Sequence, residues 1–168
     1  APMFGEWTAA PVTAIQHRLI HRMAEWSPVL SRGPQTLIHN DFNPRNVCLR
    51  RRQDRWALCA FDWELATIGA PMRDLAELLC FVSPADVDGD EVRALIGRHA
   101  GEFSARAGVR VDRDTWETAF AASLAELLVD RLPVYGMVHR VKPQPFLPRV
   151  LRRCLRLHAL FPCDAAAC

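Results

Sequence analysis

A regular hydrophobic pattern begins at Val12 and continues to about Ser31. Its apolar side chains recur at spacings of three and four residues, at Ile15, Leu19, Met23, Trp26 and Leu30. This spacing predicts one amphipathic helix with a single buried face. Gly33-Pro34 follows and predicts the end of that helix. Residues 1–11 contain proline and small side chains without periodicity, and we expect them to form a lead-in.

Three short apolar runs come next, at Thr36–His39, Val47–Leu49 and Trp56–Phe61. Their length and their β-branched or aromatic side chains favour strands. The polar residues 50–55 between the second and third runs predict a turn, so these two runs should pair as a β-hairpin. A hairpin of this size has no core of its own, and we expect it to lie against helices.

After Pro71 the pattern returns to helical spacing. It predicts four helices, over residues 71–82, 91–106, 112–132 and 148–160. The predicted fold class is therefore mainly α with a small β-hairpin region. We expect a single domain over residues 1–168, with a hairpin region at 36–64 and a helical subdomain at 71–160.

Composition narrows the classes of partner. The 168 residues include 21 basic and 19 acidic ones, so no overall charge selects a nucleic acid or an acidic membrane. The sequence has no nucleic-acid-binding signature and no apolar stretch of about 18 residues, so we expect neither nucleic acid nor membrane as a partner. The six cysteines form no C-x-x-C pair, which favours reduced thiols and a cytoplasmic protein.

The candidate chemistry begins in the loop H-N-D-F-N-P-R-N at residues 39–46. Asp41 and Asn46 are five residues apart in this loop, and Asp62 follows directly on the third apolar run. Because a hairpin joins its two ends, Asn46 and Asp62 should lie side by side, with Asp41 nearby. Carboxylate and amide oxygens are suited to Mg²⁺. Taken alone, the loop could instead be a turn whose side chains bind their own backbone.

Three motifs together resemble the aminoglycoside phosphotransferase and choline kinase family, which has a protein-kinase-like fold. They are H-N-D-F-N-P-R-N at 39–46, D-W-E at 62–64 and P-M-R-D-L-A at 71–76. The resemblance covers residues 36–80 closely and the later helices only in general pattern. It implies the C-terminal lobe of such a phosphotransferase without its N-terminal lobe, since no glycine-rich loop and no lysine precede the catalytic motif.

The resemblance implies a reaction and roles for three residues. Asp41 would accept or orient the proton of the substrate hydroxyl. Asn46 and Asp62 would bind Mg²⁺ and, through it, the phosphates of ATP. The implied reaction is transfer of the γ-phosphate of ATP to a hydroxyl group of a small molecule or peptide.

Four further residues receive supporting roles from the same resemblance. His39 would support the loop through hydrogen bonds. Asp74 would anchor the loop or act as a carboxylate at a helix start, and both roles can coexist. Glu64 would bind metal through water, stabilise the loop, or be a plain surface carboxylate. Arg45 would meet phosphate or stay solvated.

Local charge is the one indication of the acceptor. Seven basic and no acidic residues occur between positions 131 and 161, namely Arg131, Arg140, Lys142, Arg149, Arg152, Arg153 and Arg156. This charge favours an anionic acceptor, a peptide or a phosphate-bearing partner over a cationic antibiotic. An exposed, solvated basic helix face would have the same composition.

The missing N-terminal lobe leads to two further expectations. The isolated chain should turn over ATP negligibly. Apolar groups in residues 36–64, at the start of the first helix, and at Met3, Phe4 and Trp7 should be exposed, ready for a polypeptide that supplies the N-lobe or for self-association. The alternative function is a non-catalytic kinase-like module that binds a partner or ligand.

Overall fold

The computed structural model describes residues 9–163, so most of the predicted lead-in, with Met3, Phe4 and Trp7, lies outside the described residues. The first predicted helix is two helices, α1 at Ala10–His21 and α2 at Met23–Arg32. They are separated at Arg22, which has φ −102° and ψ 14°. The indole nitrogen of Trp26 donates to the Leu19 carbonyl across this break, at 2.8 Å. The prediction of one helix was wrong because a bend of one residue preserves the apolar face.

The predicted hairpin is confirmed. Strand β2, Val47–Arg52, pairs antiparallel with strand β3, Arg55–Ala60, and Leu49 faces Leu58 in the register. Both strands extend further into the polar segment than the sequence indicated. The turn itself is the pair Gln53-Asp54, where Gln53 adopts a positive φ of 53°.

A second two-stranded ribbon was not predicted. Strand β1, Thr36–Ile38, pairs antiparallel with strand β4, Thr67–Gly69, which follows a single 3₁₀ turn at Trp63–Leu65. Leu37 lies opposite Ile68 in this ribbon. The loop at residues 39–46 and the hairpin lie between β1 and β4 in the sequence, so the pairing of these two strands brings both ends of this segment together.

Five helices follow in the part of the chain that the structure describes, one more than predicted. They are α3 at Met72–Val82, α4 at Gly89–Ala107, α5 at Arg113–Glu126, α6 at Leu132–Val141 and α7 at Leu147–Leu160. A π-helical turn, Leu127–Arg131, joins α5 to α6. The chain therefore stays helical past Pro133, and the wider π-helical turn lies directly before α6, in whose first turn this proline has no backbone N–H to donate.

The core is formed around α5, which is buried along most of its length and contacts α2, α3, α4 and α7. The largest fully buried side chains of this core include Trp116, Phe120, Leu124, Met72, Ile96, Leu151 and Leu157. Within residues 9–163 no helix combines the length and apolar character that crossing a membrane requires. The architecture is mainly α with a small β region, as predicted.

Candidate active site

The loop between β1 and β2 is shaped by its asparagines. Asn40 adopts a left-handed conformation with φ 60°, which asparagine tolerates better than most residues. The backbone N–H of Asn43 donates to the backbone carbonyl of Asp41 at 3.1 Å, and the backbone N–H of Asn46 donates to the backbone carbonyl of Asn43 at 2.9 Å. Asn43 is fully buried, so these turns form a fixed support under Asp41.

Asp74, near the start of α3, holds the beginning of this loop. Its carboxylate accepts the His39 backbone N–H at 2.7 Å and the Asn40 backbone N–H at 2.9 Å. Both donors belong to loop residues that have left the strand ladder and need another acceptor. The geometry is that of an anchor, and Asp74 also occupies the first turn of a helix, where a negative charge is favourable.

We expect Asp74→Asn to lower the free energy of unfolding by about 2–3 kcal/mol, because an amide can accept only one of the two N–H groups well and turns a donor toward the other. Chemical denaturation of the variant and the parent protein measures this difference. Asp86→Asn is the matched control, since Asp86 is exposed in the loop after α3. Equal losses in the two variants would contradict the anchoring role.

His39 connects the loop to the end of the hairpin. Its ring is buried, lies 4.6 Å from the Trp63 ring, and donates from Nε2 to the Phe61 carbonyl at 2.8 Å. The Phe61 N–H in turn donates to the Asn46 carbonyl at 3.0 Å. The backbone of Asn46 is therefore paired with the residue directly before Asp62.

Asp62 lies in a left-handed conformation at φ 63° and ψ 57°, and its side chain is exposed. Its carboxylate makes no hydrogen bond or ion pair with any other residue between 9 and 163. The pairing of Phe61 with Asn46 places the two backbones next to each other, as predicted from the hairpin. Contact between the Asp62 carboxylate and the Asn46 amide stays a prediction.

Asp41 is the centre of a hydrogen-bond network. Asn46 donates from Nδ2 to Asp41 Oδ2 at 2.6 Å and to the Asp41 carbonyl at 2.9 Å, while Asn43 and Tyr135 donate to Oδ1 at 3.0 and 2.7 Å. Partial burial raises the pKa of Asp41, but these bonds and the charge of Arg45 outweigh it, so the pKa lies below its usual range. Asp41 is ionised at neutral pH.

Tyr135, Glu77 and Arg131 complete the site and were missed in the sequence. The Tyr135 hydroxyl lies 3.2 Å from Glu77 Oε1 as well as contacting Asp41, and Arg131 donates to the Asn40 carbonyl at 2.5 Å. Glu77 could have been noticed as a carboxylate on the buried face of α3, one turn after Asp74. Tyr135 and Arg131 lie 94 and 91 residues from their loop partners, and no local pattern marks them.

Burial raises the pKa of Glu77 from 4.5 to about 7, with help from the nearby Asp41 charge and against the opposing charge of Arg131. The unfolded chain loses this proton near pH 4.5, whereas the folded chain keeps it to about pH 7. The folded state therefore binds more protons in that window, and the free energy of unfolding falls as the pH rises through it.

Glu77→Gln, which is neutral at every pH, should remove this dependence. At pH 8 its free energy of unfolding should exceed that of the parent protein by on the order of 2–3 kcal/mol. Urea titrations at pH 5 and pH 8 provide the measurement. Glu117→Gln is the control, because Glu117 is partly exposed and pairs with Arg93 on the surface. Parallel pH dependence in all three proteins would exclude a neutral Glu77.

Arg45 lies against aromatic rings rather than free in solvent. Its guanidinium carbon is 4.5 Å from the Phe146 ring centroid, 5.6 Å from that of Phe81 and 5.9 Å from that of Tyr135. Nε donates to Asn43 Oδ1 at 3.0 Å, and Nη2 lies 3.9 Å from Asp41. The side chain is still 45% exposed, so it contributes positive charge at an open edge of the site.

The remaining predicted residue, Glu64, is exposed on the 3₁₀ turn after Asp62. Among residues 9–163 it forms no hydrogen bond or ion pair. The structure therefore brings His39, Asp41, Asn46 and Asp74 into one connected network, adds Arg45 at its edge, and leaves the Asp62 and Glu64 side chains outside its hydrogen bonds.

The basic residues after position 130 divide into two groups. Arg131 bonds the Asn40 carbonyl and Arg153 donates to the Phe81 carbonyl, so these two serve internal packing. Five others are exposed, namely Arg140, Lys142, Arg149, Arg152 and Arg156. The surface of α6 and α7 therefore carries fewer exposed basic side chains than the sequence count indicates.

Comparison with known proteins identifies one similarity. The model of a family described as the phosphotransferase enzyme family (APH) matches residues 5–110. The match covers α1 to α4, including the loop around Asp41 and the Asp74 anchor, and ends before α5, so Tyr135 and Arg131 lie outside it. No curated protein and no solved structure matched the chain.

Proposed function

This chain belongs to the phosphotransferase enzyme family, and we propose that it is the catalytic and metal-binding lobe of an ATP- and Mg²⁺-dependent O-phosphotransferase. The observation that carries the proposal is the bond from Asn46 to Asp41 at 2.6 Å in a loop anchored on Asp74. The buried side chain of Asn43 supports the loop from inside the fold. The ionised carboxylate of Asp41 is held by three hydrogen-bond donors at the protein surface, where it is suited to contact a polar reactant.

Asp41 acts on the acceptor hydroxyl. Its lowered pKa makes it a weak base but keeps it ionised, so it orients the hydroxyl and accepts its proton as the phosphoryl group is transferred. Phosphoryl transfer needs positioning and charge neutralisation more than strong bases, because negative charge spreads over the phosphoryl oxygens. Arg45 adds a positive charge at the open edge of the same site.

The Mg²⁺ ligands are Asn46 and Asp62. The Asn46 amide nitrogen is committed to Asp41, which leaves its oxygen as the free ligand atom, and the Asp62 carboxylate is exposed and unpaired among the described residues. This donor set, two hard oxygen ligands, fits an ion that keeps waters and phosphate oxygens in its remaining positions. Bound Mg²⁺ would neutralise charge on the phosphates of ATP.

The acceptor is a hydroxyl group of a small molecule or peptide. We favour an anionic acceptor, because the exposed side chains of Arg140, Lys142, Arg149, Arg152 and Arg156 are all positive. Arg131 and Arg153 do not belong to this exposed set, because they bond the backbone carbonyls of Asn40 and Phe81.

Transfer of labelled γ-phosphate from ATP tests the proposal. The chain and the complete native protein are incubated with Mg²⁺ and with hydroxyl compounds of similar size that are anionic, neutral or cationic, and with hydroxyl-containing peptides. We expect label in an anionic acceptor or a peptide from the complete protein, abolished by EDTA, and negligible turnover by this chain alone. A complete protein that binds MgATP without transferring phosphate to any acceptor or to water would favour the binding module instead.

The missing part of the nucleotide site is supplied by an N-lobe on a longer chain or a separate polypeptide. Support comes from exposed apolar side chains along residues 37–68: Leu37, Leu49, Trp56, Leu58, Phe61, Trp63, Leu65 and Ile68. Leu49 and Leu58 face each other on β2 and β3, and Leu37 and Ile68 face each other on β1 and β4. The expected exposure at the start of the first helix is wrong for Val12, which is buried in the core.

We expect the isolated chain to self-associate through these exposed apolar side chains of residues 37–68, because apolar patches of more than a few hundred Å² commonly mark interfaces. The double variant Leu49→Ser/Leu58→Ser should shift the chain toward monomer in size-exclusion chromatography with light scattering. Met137→Ser/Val141→Ser is the matched control, since both residues are exposed on α6. A monomeric parent chain, or equal shifts in both variants, would contradict the prediction.

A further inference from the structure

The hydroxyl group of Tyr135 lies between two carboxyl groups. Its oxygen is 2.7 Å from Asp41 Oδ1 and 3.2 Å from Glu77 Oε1. Tyr135 lies on α6, Glu77 on α3 and Asp41 in the loop after β1, so three separate elements meet at this oxygen. The residue is the only tyrosine in the sequence.

The number of protons decides how this group is bonded. A phenol has one proton, and an ionised carboxylate can only accept. If Tyr135 donates to the nearer carboxylate, Asp41, the contact with Glu77 is a hydrogen bond only when Glu77 carries a proton and donates it to the phenol oxygen. Two ionised carboxylates would leave one of the contacts without a hydrogen.

The surroundings of Glu77 favour the protonated form. Its side chain is 1% exposed, and Oε2 has no hydrogen-bond partner within the described residues. Arg131 is the positive group that faces it, and it is engaged by the Asn40 carbonyl. The ionised form would leave a charged oxygen buried without a partner, which is far more costly than a neutral one.

The groups around Glu77 come from every element packed there. Asp41 faces it from the loop, Arg131 from the π-helical turn and Tyr135 from α6, while Cys80 follows one turn along α3 itself. Helix α7 contributes Val150, an apolar residue, to the same small cavity. Tyr135 is within hydrogen-bond distance of both Glu77 and Asp41, so it joins the two carboxyl groups.

We propose that Glu77 and Tyr135 form a directed hydrogen-bond chain that positions Asp41, with protonated Glu77 donating to Tyr135 and Tyr135 donating to Asp41 Oδ1. The inference rests on the proposed function of Asp41. Tyr135 and Glu77 are positioning residues, because they act on the acceptor through Asp41. This hydrogen-bond chain fixes the direction of the Tyr135 phenol proton and so holds the Asp41 carboxylate in a single orientation.

The hydrogen-bond chain also makes the geometry of the site depend on pH. Burial raises the pKa of Glu77 to about 7, and loss of its proton would leave Tyr135 with one hydrogen between two carboxylates. The orientation of Asp41 should therefore loosen as the pH rises above about 7. Glu77→Gln keeps a neutral donor of the same shape, so it should preserve the chain at every pH.

Tyr135 provides a spectroscopic test that needs no activity. Tyrosine labelled with ¹³C at Cζ gives a single resonance, because the chain has one tyrosine. We expect a change of shift with a midpoint near pH 7 in the parent protein and in Glu117→Gln, and no such step in Glu77→Gln. Asp41→Asn should also move the resonance at low pH. A shift change near pH 7 that persists in Glu77→Gln, or a resonance that Asp41→Asn does not move, would overturn the proposed hydrogen-bond chain.

Kinetics of the complete protein test the positioning role. Tyr135→Phe and Glu77→Leu should each lower kcat by between about tenfold and a hundredfold with the nucleotide KM unchanged, since each removes a bond that orients a charged group. Glu77→Gln should restore kcat at pH 6 and remove the decline above pH 7. Parent-like kcat in Tyr135→Phe, beside an inactive Asp41→Asn, would overturn this inference and leave the proposed function standing. Parent-like activity in Asp41→Asn would instead refute the proposed function, and with it the positioning role.

Discussion

Replacing Asp41 with Asn should lower kcat of phosphoryl transfer by about 10²- to 10⁴-fold and leave the Kd of the nucleotide nearly unchanged. Asparagine has the same shape, but it cannot accept the proton of the acceptor hydroxyl. Its amide group would also direct N–H bonds toward Asn43, Asn46 or Tyr135, which already donate to this side chain. Both changes act at the acceptor and not at the nucleotide phosphates.

Steady-state kinetics and nucleotide titrations of the complete protein measure the two quantities separately. Asp86→Asn, in the exposed loop after α3, controls for the change of one charge. Circular dichroism and thermal unfolding establish that the Asp41 variant is folded. A variant with parent-like kcat, or one that loses nucleotide affinity in proportion to kcat, would exclude the role assigned to Asp41.

The second large effect is expected at Asp62. Asp62→Ala should reduce Mg²⁺-supported transfer below about one thousandth of the parent rate, because bound metal supplies several kcal/mol of charge stabilisation. It should also weaken binding of MgATP. The carboxylate has no bonding partner among residues 9–163, so its loss should remove ligand binding without breaking a hydrogen bond of the fold.

The backbone at Asp62 requires a second variant. Its φ of 63° is strained for alanine, whereas asparagine tolerates the left-handed region, so Asp62→Asn removes the charge with less effect on folding. Asp54→Ala is the matched control, because Asp54 is an exposed aspartate in the turn of the same hairpin, and its carboxylate lies 3.8 Å from the Arg51 guanidinium. Calorimetric titration with Mg²⁺ and ATP provides the binding measurement. Unchanged metal dependence in both Asp62 variants would rule out Asp62 as a ligand.

The local elements were predictable because local interactions determine them. Spacings of three and four residues predicted α3, α4, α5 and α7, and two apolar runs around a polar turn predicted the pairing of β2 with β3. The helical boundaries were less certain. The cap of α5 is Asp112, which accepts the Thr115 N–H at 2.8 Å, so the helix begins at Arg113, one residue later than the predicted start.

The loop residues were predictable for a related reason. Asp41 and Asn46 lie within one short loop, so their contact depends on a turn of six residues. The hairpin then brings the backbone before Asp62 to Asn46, through a pairing of neighbouring strands. The motif spacing was therefore enough to predict this part of the site. The family resemblance added the anchoring role of Asp74.

Other features required the packed fold. The break at Arg22 leaves the apolar face of α1 and α2 unchanged, so periodicity could not reveal it. Pairing of β1 with β4 joins segments separated by the whole loop at residues 39–46 and the hairpin. Arg131 and Arg153 count as charges in the sequence, but they bond backbone carbonyls of distant elements, which changes the charge presented to an acceptor.

The sequence by itself therefore determined α3, α4, α5 and α7, the hairpin, and the residues of the loop at 39–46, since each depends on side-chain periodicity or on partners a few positions away. The tertiary structure alone decided that Tyr135 and Glu77 meet at Asp41. Tyr135 lies 94 residues from Asp41 along the chain, and their hydroxyl–carboxylate bond exists only because the fold brings α6 to the loop after β1. Burial at that contact, which no local pattern encodes, also raises the pKa of Glu77 to about 7.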